Sequence, residues 1–262
     1  MSAWGTVRIR AEKPIPFLRL LGPVLLLVVW GVASATGALD PRTLPPPWQV
    51  VSRAWQLIAD GVLQRALLAS VQRSMTGLGL GVLFGIGFSL ISGLNRWGEA
   101  IVDGPLQIWR ATPVLAVIPL AIYWLGLGEQ MKITLICLTT MIPIYINTSA
   151  AIASVEKRFV ELAHTIRLTH WEFVRYVVIP GALPGFFTGL RLSAVSAWLV
   201  LVVVEQSNTI NGLGYMVGEA RVNGQVDIIA VGLVVYALLG LTTDGVLRLL
   251  EKRVLSWRKT FR

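Results

Sequence analysis

Four ionisable side chains fall within or beside long apolar segments, and they are the residues of this sequence best placed to act on a charged solute. They are Arg110, Arg191, Glu205 and Asp244. A charged group at membrane depth is costly, so it usually marks a solute pathway, an ion pair or a proton relay. Arg110, with Thr112 close by, would favour an anion that moves past it. The alternative is an arginine near a gate or near the cytoplasmic interface, which its long side chain can reach.

The acidic residues of this set indicate ion pairs or caps. Glu205 precedes Gly212 and Gly214, which favour a turn back toward the membrane. Because a carboxylate would repel an anion, we expect Glu205 to form an ion pair with an arginine or to cap this turn. Asp244 stands four residues before Arg248, the spacing at which helical side chains pair. The candidate pathway residues are Arg110, Thr112 and Glu205.

The sequence lacks the residue sets that enzymes and metal sites need. Its two histidines, His164 and His170, lie in the same polar segment, which excludes a histidine-based metal site or proton relay within the apolar segments. A phosphate-binding loop requires glycine directly before lysine, and no lysine of this chain follows a glycine. No nucleophile, base and carboxylate can assemble from the apolar segments. We expect a non-catalytic protein with no cofactor or metal of its own.

The composition is typical of a membrane protein. Apolar residues make up 55% of the 262 residues, charged residues make up only 14%, and the mean hydropathy is +0.68. The net charge of +9 could indicate a nucleic-acid partner, but the basic residues form short blocks between apolar runs and no stripe with aromatic residues. We therefore expect a lipid bilayer around the protein and no nucleic-acid partner.

Six apolar stretches are long enough for membrane-crossing helices, since about 20 residues span a hydrocarbon core of roughly 30 Å. The third stretch is interrupted by Pro105, Pro113 and Pro119. Between the first and second, apolar residues at helical spacing over residues 51–62 predict an amphipathic helix on the outer interface. The predicted fold class is an all-α integral membrane protein with six transmembrane helices. The predicted spans are residues 18–37, 70–93, 103–127, 132–153, 185–206 and 226–248.

Lysine and arginine are distributed unevenly between the two sides of such a six-helix protein. With the N-terminus inside, both chain ends and the polar segment between the fourth and fifth spans place most of the positive charge on the cytoplasmic side. Both termini are therefore predicted to be cytoplasmic. The predicted divisions are a cytoplasmic tail over 1–17, a membrane domain over 18–250 with a cytoplasmic loop over 154–184, and a basic cytoplasmic tail over 251–262.

The predicted cytoplasmic loop has the pattern of two short helices joined by a turn. Thr169 and Glu172 have the spacing of a capping box, which would start the second helix at His170. That helix should end near Pro180. The first helix would be amphipathic and could press into a groove of a partner, although an ordinary loop between two spans is the alternative. Its apolar face comprises Phe159, Val160, Ala163 and Ile166, and its polar face comprises Glu161, His164 and Arg167.

The segment from Glu161 to Pro184 resembles the EAA loop of ABC importer permeases, the cytoplasmic segment that seats against an ATP-hydrolysing subunit. The resemblance covers roughly residues 20 to 250, and it includes the segments LPPPWQV, ISGLNRWGE and PIYINT. These segments look like permeases of the nitrate, taurine and aliphatic-sulfonate branch, and in particular like aliphatic-sulfonate permeases. The resemblance implies the type I importer fold and a location in the bacterial plasma membrane.

The same resemblance implies a complex with two copies of the permease and two ATP-binding subunits, which bind ATP and magnesium. An extracytoplasmic binding protein would deliver the solute. The implied solute is a small organic anion, in the first place an aliphatic sulfonate. Taurine, nitrate, bicarbonate and small heterocycles stay open as solutes of the same kind of complex. An ion-coupled secondary transporter is the alternative class, and it would need internal repeats or acidic relays within the membrane.

The loop departs from the family pattern at two points. It carries Glu161-Leu162-Ala163 where the family usually has Glu-Ala-Ala, and Arg167 where the family usually has glycine. Glycine permits a tight turn with left-handed backbone, which arginine adopts only at a cost. The loop geometry or the partner's groove is therefore expected to differ from the usual one. The residues that the resemblance assigns to ATPase coupling are Glu161, Leu162, Ala163, His164, Arg167 and Thr169.

Overall fold

The computed structural model describes residues 18–155 and 157–257, and within these ranges the chain consists of helices and short turns without a strand. The all-α fold class is therefore confirmed. A π-helical turn, Val174–Val178, joins α8 to α9 without interruption. The helices are α1 (Leu18–Ala35), α2 (Pro47–Ala59), α3 (Val62–Leu94), α4 (Arg96–Ala111), α5 (Val114–Leu125), α6 (Glu129–Ala153), α7 (Lys157–Thr165), α8 (His170–Phe173), α9 (Ile179–Asn208), α10 (Leu213–Val222) and α11 (Val226–Val254).

Helices α3, α6 and α9 form the centre of the protein, and glycines on α3 set how closely α6 can approach it. A Cβ atom on Gly77 would lie 2.5 Å from Cγ2 of Ile136, and one on Gly85 would lie 2.9 Å from Cβ of Ile144. Both distances are well inside the optimal separation of about 3.5–4.0 Å between carbon atoms. The glycine-rich sequence of the second predicted span is thus a packing surface, as small residues often are in membrane helices.

Four helical units of the described chain are long and apolar enough to cross a bilayer: α3, α6, the rod from His170 to Ser207, and α11. The pair α4 and α5 forms a fifth such unit if it counts as one span, although the pair is bent by 106°. The shorter helix α1 is apolar as well. The six predicted spans correspond to these six units, of which α1 and the bent pair are not regular spans.

The bend between α4 and α5 lies at Pro113. Thr112, directly before this proline, has φ −84° and ψ 121°, because the proline ring disfavours helical backbone in the residue that precedes it. The other two prolines of the third predicted span, Pro105 and Pro119, lie inside α4 and α5. Only one of the three interruptions in the sequence therefore redirects the chain.

The second helix of the cytoplasmic loop does not end near Pro180, so that prediction is wrong. The chain stays helical from His170 through α9 because the π-turn precedes the proline, and the N–H of Ile179 donates to the carbonyl of Val174, five residues back. A proline normally breaks an α-helix through its missing N–H and its clash with the carbonyl four residues back. We attribute the uninterrupted rod to the wider π-helical geometry just before Pro180.

The amphipathic helix predicted over residues 51–62 is α2, which begins at Pro47 and ends at Ala59. Val50 and Leu57 are buried in a cluster with residues of α10 and α11. The apolar residues that recur in the sequence lie on the other face, where Val51 is 69% exposed and Trp55 is 72% exposed. This apolar outer face is suited to contact with lipid.

Candidate pathway cavity and partner-docking loop

A cavity of about 420 Å³ lies between the bend of α4 and α5 and the helices α6 and α9. Arg110, in the last turn of α4, and Thr112, at the bend, both line it. The bend at Pro113 is what brings these two candidate pathway residues together on one wall. The cavity is lined by Trp109, Arg110, Thr112, Val114, Thr139, Ile142, Pro143, Ile146, Asn147, Leu192 and Ser196.

The uncharged polar groups of this cavity already donate hydrogen bonds within their own helices. The hydroxyl of Thr139 donates to the backbone carbonyl of Leu135 at 2.8 Å, and the hydroxyl of Thr112 donates to the backbone carbonyl of Ile108 at 2.9 Å. Ser196 and Asn147 likewise donate to carbonyls four residues back. The guanidinium of Arg110, by contrast, makes no hydrogen bond or ion pair with any residue of the described chain. It is therefore the charged donor that this cavity offers to a solute.

Two buried cations of the long helices, Arg73 and Lys132, are neutralised by carboxylates. Arg73 forms an ion pair with Glu205 at 2.7 Å, and Lys132 forms one with Glu129 at 2.9 Å. Arg73 also contacts Glu129, at 2.6 Å. Arg110 differs from these cations because it faces a cavity without a counter-ion among residues 18–155 and 157–257. The arrangement can hold an anion in transit.

Glu205 does not line the cavity with Arg110 and Thr112. It is fully buried, at 0% exposure. Its carboxylate accepts hydrogen bonds from Arg73 Nη1 at 2.7 Å, from the Ser70 hydroxyl at 2.8 Å and from the Gly214 N–H at 2.8 Å. Both expectations for Glu205, an ion pair with an arginine and a cap on the turn after Gly212, are confirmed. Glu205 therefore has a structural role, because it holds residues of α3 and α10 against α9.

The residues around Glu205 form a polar cluster that joins α3, α6, α9 and the turn before α10. Arg73 is its centre, because its guanidinium also donates to the backbone carbonyl of Asn211 at 2.9 Å and to the side-chain carbonyl of the same residue. Our sequence reasoning missed this cluster. The available signal was an arginine inside the second predicted span, which we counted among the positive charges of the outer side. The cluster comprises Ser70, Arg73, Glu129, Lys132, Glu205 and Asn211.

A second group of charges joins α9 to α11. Asp244 accepts a hydrogen bond from Arg248 at 2.6 Å, as its spacing of four residues predicted, and another from Arg191 at 3.0 Å. Arg191 also lies 3.8 Å from Glu251. These side chains are partly exposed, so the group is a bridge between two helices. Within the described part of the chain, no group of three or more potential ligand residues is arranged to hold a metal ion.

The loop predicted to be cytoplasmic has the predicted shape of a helix, a turn and a second helix. The second helix is capped as predicted: the Glu172 N–H donates to the Thr169 hydroxyl at 3.3 Å, and the Glu172 carboxylate accepts from the Thr169 N–H at 2.8 Å. Thr169 therefore serves to fix the turn.

The turn of the loop contains a residue with left-handed backbone, so at this residue the loop keeps the conformation that glycine would adopt. Arg167 has φ 55°, and it is the one residue other than glycine with positive φ among those described. The N–H of Leu168 donates to the carbonyl of Ala163 at 2.9 Å, which is the six-to-one hydrogen bond of a Schellman motif at the end of α7. Glycine is the usual residue at this position of the motif.

The exposed surface of the loop differs from the predicted one in one respect. Ala163 is only 7% exposed, so its side chain packs within the chain and does not face a partner. Leu162 is 54% exposed and Ile166 is 58% exposed, and Glu161 is exposed as well. The side chain of His164 lies outside the described part of the structure. The surface open to a partner is therefore an acidic group flanked by large apolar groups.

Comparison with known proteins shows the family. Residues 77–256 match the family described as "Binding-protein-dependent transport system inner membrane component". A protein of Escherichia coli K12 named as the aliphatic sulfonates transport permease SsuC is 40% identical over 239 residues, which cover 91% of each chain. The SsuC protein of Bacillus subtilis 168 is 36% identical, over 92% of this chain and 88% of its own length. The taurine transport system permease TauC of Escherichia coli K12 is 32% identical, over 89% of this chain and 86% of its own.

The fold has a solved counterpart. The crystal structure of an amino acid ABC transporter matches with a TM-score of 0.59 at 17% identity, over 76% of this chain and 96% of the other. At this identity the match supports the fold alone, and that fold is the type I permease fold expected from the sequence. Permease subunits of this kind are not catalytic, and a separate subunit uses ATP. This chain therefore belongs to the family of binding-protein-dependent transport system inner membrane components, as a permease subunit of an ABC transporter.

Proposed function

We propose that this permease conducts a small organic anion, an aliphatic sulfonate, into the cytoplasm. The observation that carries the proposal is Arg110, an unpaired guanidinium on the wall of a cavity about 420 Å³ in volume. A sulfonate keeps its negative charge at neutral pH and presents three acceptor oxygens. Arginine, with its planar fork of donors, suits such a group better than a point charge does. The names of the two SsuC relatives support the same solute class.

The cavity suits transit better than tight binding. Its hydroxyl groups are committed to backbone carbonyls, so an anion gains one strong charge-assisted donor and must otherwise compete for donors already in use. A solute held by a single cation can enter and leave. Nitrate and bicarbonate are anions and taurine is a zwitterion that carries a sulfonate, so the same cation would serve all three and the choice among them would rest with the binding protein that delivers the solute.

We place the chain in a complex of two permease copies in the bacterial plasma membrane, with both termini cytoplasmic. Two ATP-binding subunits would bind ATP and magnesium, and an extracytoplasmic binding protein would deliver the solute. The concentration of lysine and arginine at the chain ends and in the loop supports this orientation. The cavity is open on one side, which is compatible with a pathway that a second copy completes.

The loop formed by α7 and α8 would be the docking site of the ATP-binding subunit. Glu161, Leu162 and Ile166 offer exposed groups there, whereas Ala163 supports the loop from within and Thr169 caps its second helix. A compact helix with exposed apolar and charged groups can fill a groove on a partner and transmit its movement. The uninterrupted rod from α8 into α9 would carry that movement to the cavity wall at Leu192 and Ser196.

The test of the proposed solute is uptake by cells that express the complete complex and lack other sulfonate importers. Arg110→Gln should lower uptake of labelled ethanesulfonate by about tenfold or more, which corresponds to the loss of one charge-assisted interaction. Arg110→Lys should retain an intermediate rate. Arg96→Gln is the matched control, because Arg96 is an exposed arginine of the same helix that does not line the cavity. Equal uptake by Arg110→Gln and the parent would contradict a role for this cation.

A further inference from the structure

Arg167 combines a strained backbone with a side chain that has no partner among the residues that the structure describes. Its φ of 55° lies in the left-handed region, where the Cβ atom of an L-residue crowds the following carbonyl. The hydrogen bond from Leu168 to Ala163 fixes this conformation, so the strain belongs to the folded loop. Glycine would form the same turn without strain, and asparagine would form it with little.

The side chain of Arg167 is exposed, and within residues 18–155 and 157–257 it makes no ion pair or hydrogen bond. The same loop also exposes large apolar side chains, since Ile166 is 58% exposed and Trp171 is 66% exposed. A partner docked on this loop would remove these apolar groups from water together with the guanidinium. Tryptophan and arginine in such a setting are typical of the residues that dominate binding energy at protein interfaces.

The hydrogen bond from Leu168 to Ala163 holds the turn, but the side chain of Arg167 makes no hydrogen bond or ion pair within the described chain that would favour arginine over glycine there. A turn alone would be better served by glycine, and the exposed guanidinium stabilises no neighbouring group. Strained residues persist where the surroundings or a partner make use of them. We propose that Arg167 forms an ion pair with a carboxylate of the ATP-binding subunit and thereby helps to select that subunit. The inference rests on the proposed docking of the ATP-binding subunit at this loop, and it adds the chemistry of the contact.

The apolar surroundings make such a pair effective. A charge-assisted hydrogen bond is stronger than a neutral one, and water exclusion by Ile166 and Trp171 would strengthen it further. A mismatched ATP-binding subunit without the carboxylate would bury an unpaired guanidinium, which is costly. The contact would thus favour the cognate subunit and disfavour related ones.

The experiment compares three variants of Arg167 in the full complex, purified in detergent with the cognate ATP-binding subunit. Arg167→Gly removes both the charge and the backbone strain. Arg167→Asn removes the charge and tolerates the left-handed turn. Arg167→Lys keeps the charge but lacks the planar guanidinium with its several donors. We expect Gly and Asn variants to melt at the parent temperature or up to about 4 °C above it. We expect both to bind the subunit about tenfold more weakly, the effect of one charge-assisted hydrogen bond. The affinity of the Lys variant for the subunit should lie between that of these two variants and that of the parent.

Glu161→Lys in the same assay distinguishes docking of the subunit at this loop from the ion pair at Arg167. If Glu161→Lys weakens docking and the Gly and Asn variants of Arg167 dock as tightly as the parent, the ion pair at Arg167 is refuted while the docking loop stands. If none of these variants affects assembly or stimulated ATP hydrolysis, the docking loop itself is refuted. If the Gly and Asn variants dock weakly and also melt well below the parent, Arg167 supports the loop from within and the proposed contact is refuted. Weak docking with unchanged or higher melting temperature supports it.

Discussion

Two arginines in the helical part of the chain, the buried Arg73 and the exposed Arg110, differ in whether their charge has a partner among the described residues. Arg73 is held by two carboxylates and by the backbone of the turn before α10, so its charge is fully compensated. Arg110 has no such partner and faces a cavity. Arginine is always charged, so the two sites cannot be adjusted by loss of a proton. The first can only hold the structure together, and the second is free to meet a solute.

The pair of Arg73 and Glu205 provides a prediction about stability. Arg73→Met should destabilise the protein by about 3–5 kcal/mol, because it leaves the fully buried carboxylate of Glu205 without its cation. The double variant Arg73→Met, Glu205→Met should lose less than the sum of the single changes. Thermal or chemical unfolding in detergent would measure both. Arg248→Met is the control, since the side chain of Arg248 is 55% exposed and its pairing with Asp244 should contribute no more than about 1 kcal/mol. An Arg73→Met variant as stable as the parent would contradict a supporting role.

For a single residue, the sequence predicts the kind of interaction that its side chain needs better than it predicts which residue provides that interaction. The charge of Glu205 and the glycines after it indicate that this residue pairs with an arginine or caps a turn. The sequence does not indicate which arginine, because Arg73 is separated from Glu205 by 132 residues and meets it only through the packing of α3 on α9. The left-handed position of Arg167 was predictable because a local motif, the end of α7, determines it.

Among the helices, the contact between α3 and α6 depends on positions where no side chain is tolerated. Gly85→Ala would bring a Cβ within 2.9 Å of both Ile144 Cβ and the Met141 carbonyl oxygen, so it should cost about 1–3 kcal/mol of stability. Gly87→Ala, two residues on in the same helix, meets nothing within 4 Å. It should be neutral or stabilise by up to about 1 kcal/mol through helix propensity. Unfolding of the two variants beside the parent measures the difference. Equal stabilities would contradict close packing of the two helices at Gly85.

The helical elements differ in how well the sequence predicts them. The apolar spans, α2 and the capped start of α8 follow from composition, spacing and a capping box, all of which are local. The continuation of the helix through Pro180 does not, because a π-turn just before the proline relieves its usual conflict. The bend between α4 and α5 is intermediate: three prolines mark the region, and only Pro113 lies where the residue before it leaves helical geometry.

On the scale of the whole molecule, the proposed orientation predicts which surfaces reagents can reach. The single cysteine, Cys137, is buried, so single substitutions in the otherwise unchanged chain can be labelled selectively. Asp60→Cys, at the exposed end of α2, should react with a membrane-impermeant maleimide on intact cells. Trp257→Cys, after α11, should react only once the cells are opened, because the C-terminus is proposed to be cytoplasmic. Labelling of position 257 from outside would contradict the orientation.

The assembly follows from the chain only in part. The absence of a phosphate-binding loop from the sequence, together with the family, requires that ATP be used by another subunit. The number of copies and the course of the pathway between them depend on surfaces that meet only in the complex. The described chain contributes a cavity with one lining cation and one exposed loop, and we propose that partner subunits complete both.

The most direct test of the proposed function is ATP-driven uptake of a labelled sulfonate by the purified complex in lipid vesicles. The permease would be reconstituted with its ATP-binding subunit, with ATP on the side of the loop and the solute-loaded binding protein on the other. We expect ethanesulfonate to accumulate only when ATP and the binding protein are both present. With Arg110→Gln, the rate of accumulation should fall by about tenfold or more while the subunits stay assembled. Accumulation that needs no ATP, or a complex that assembles with its ATP-binding subunit and hydrolyses ATP but moves no organic anion, would contradict it.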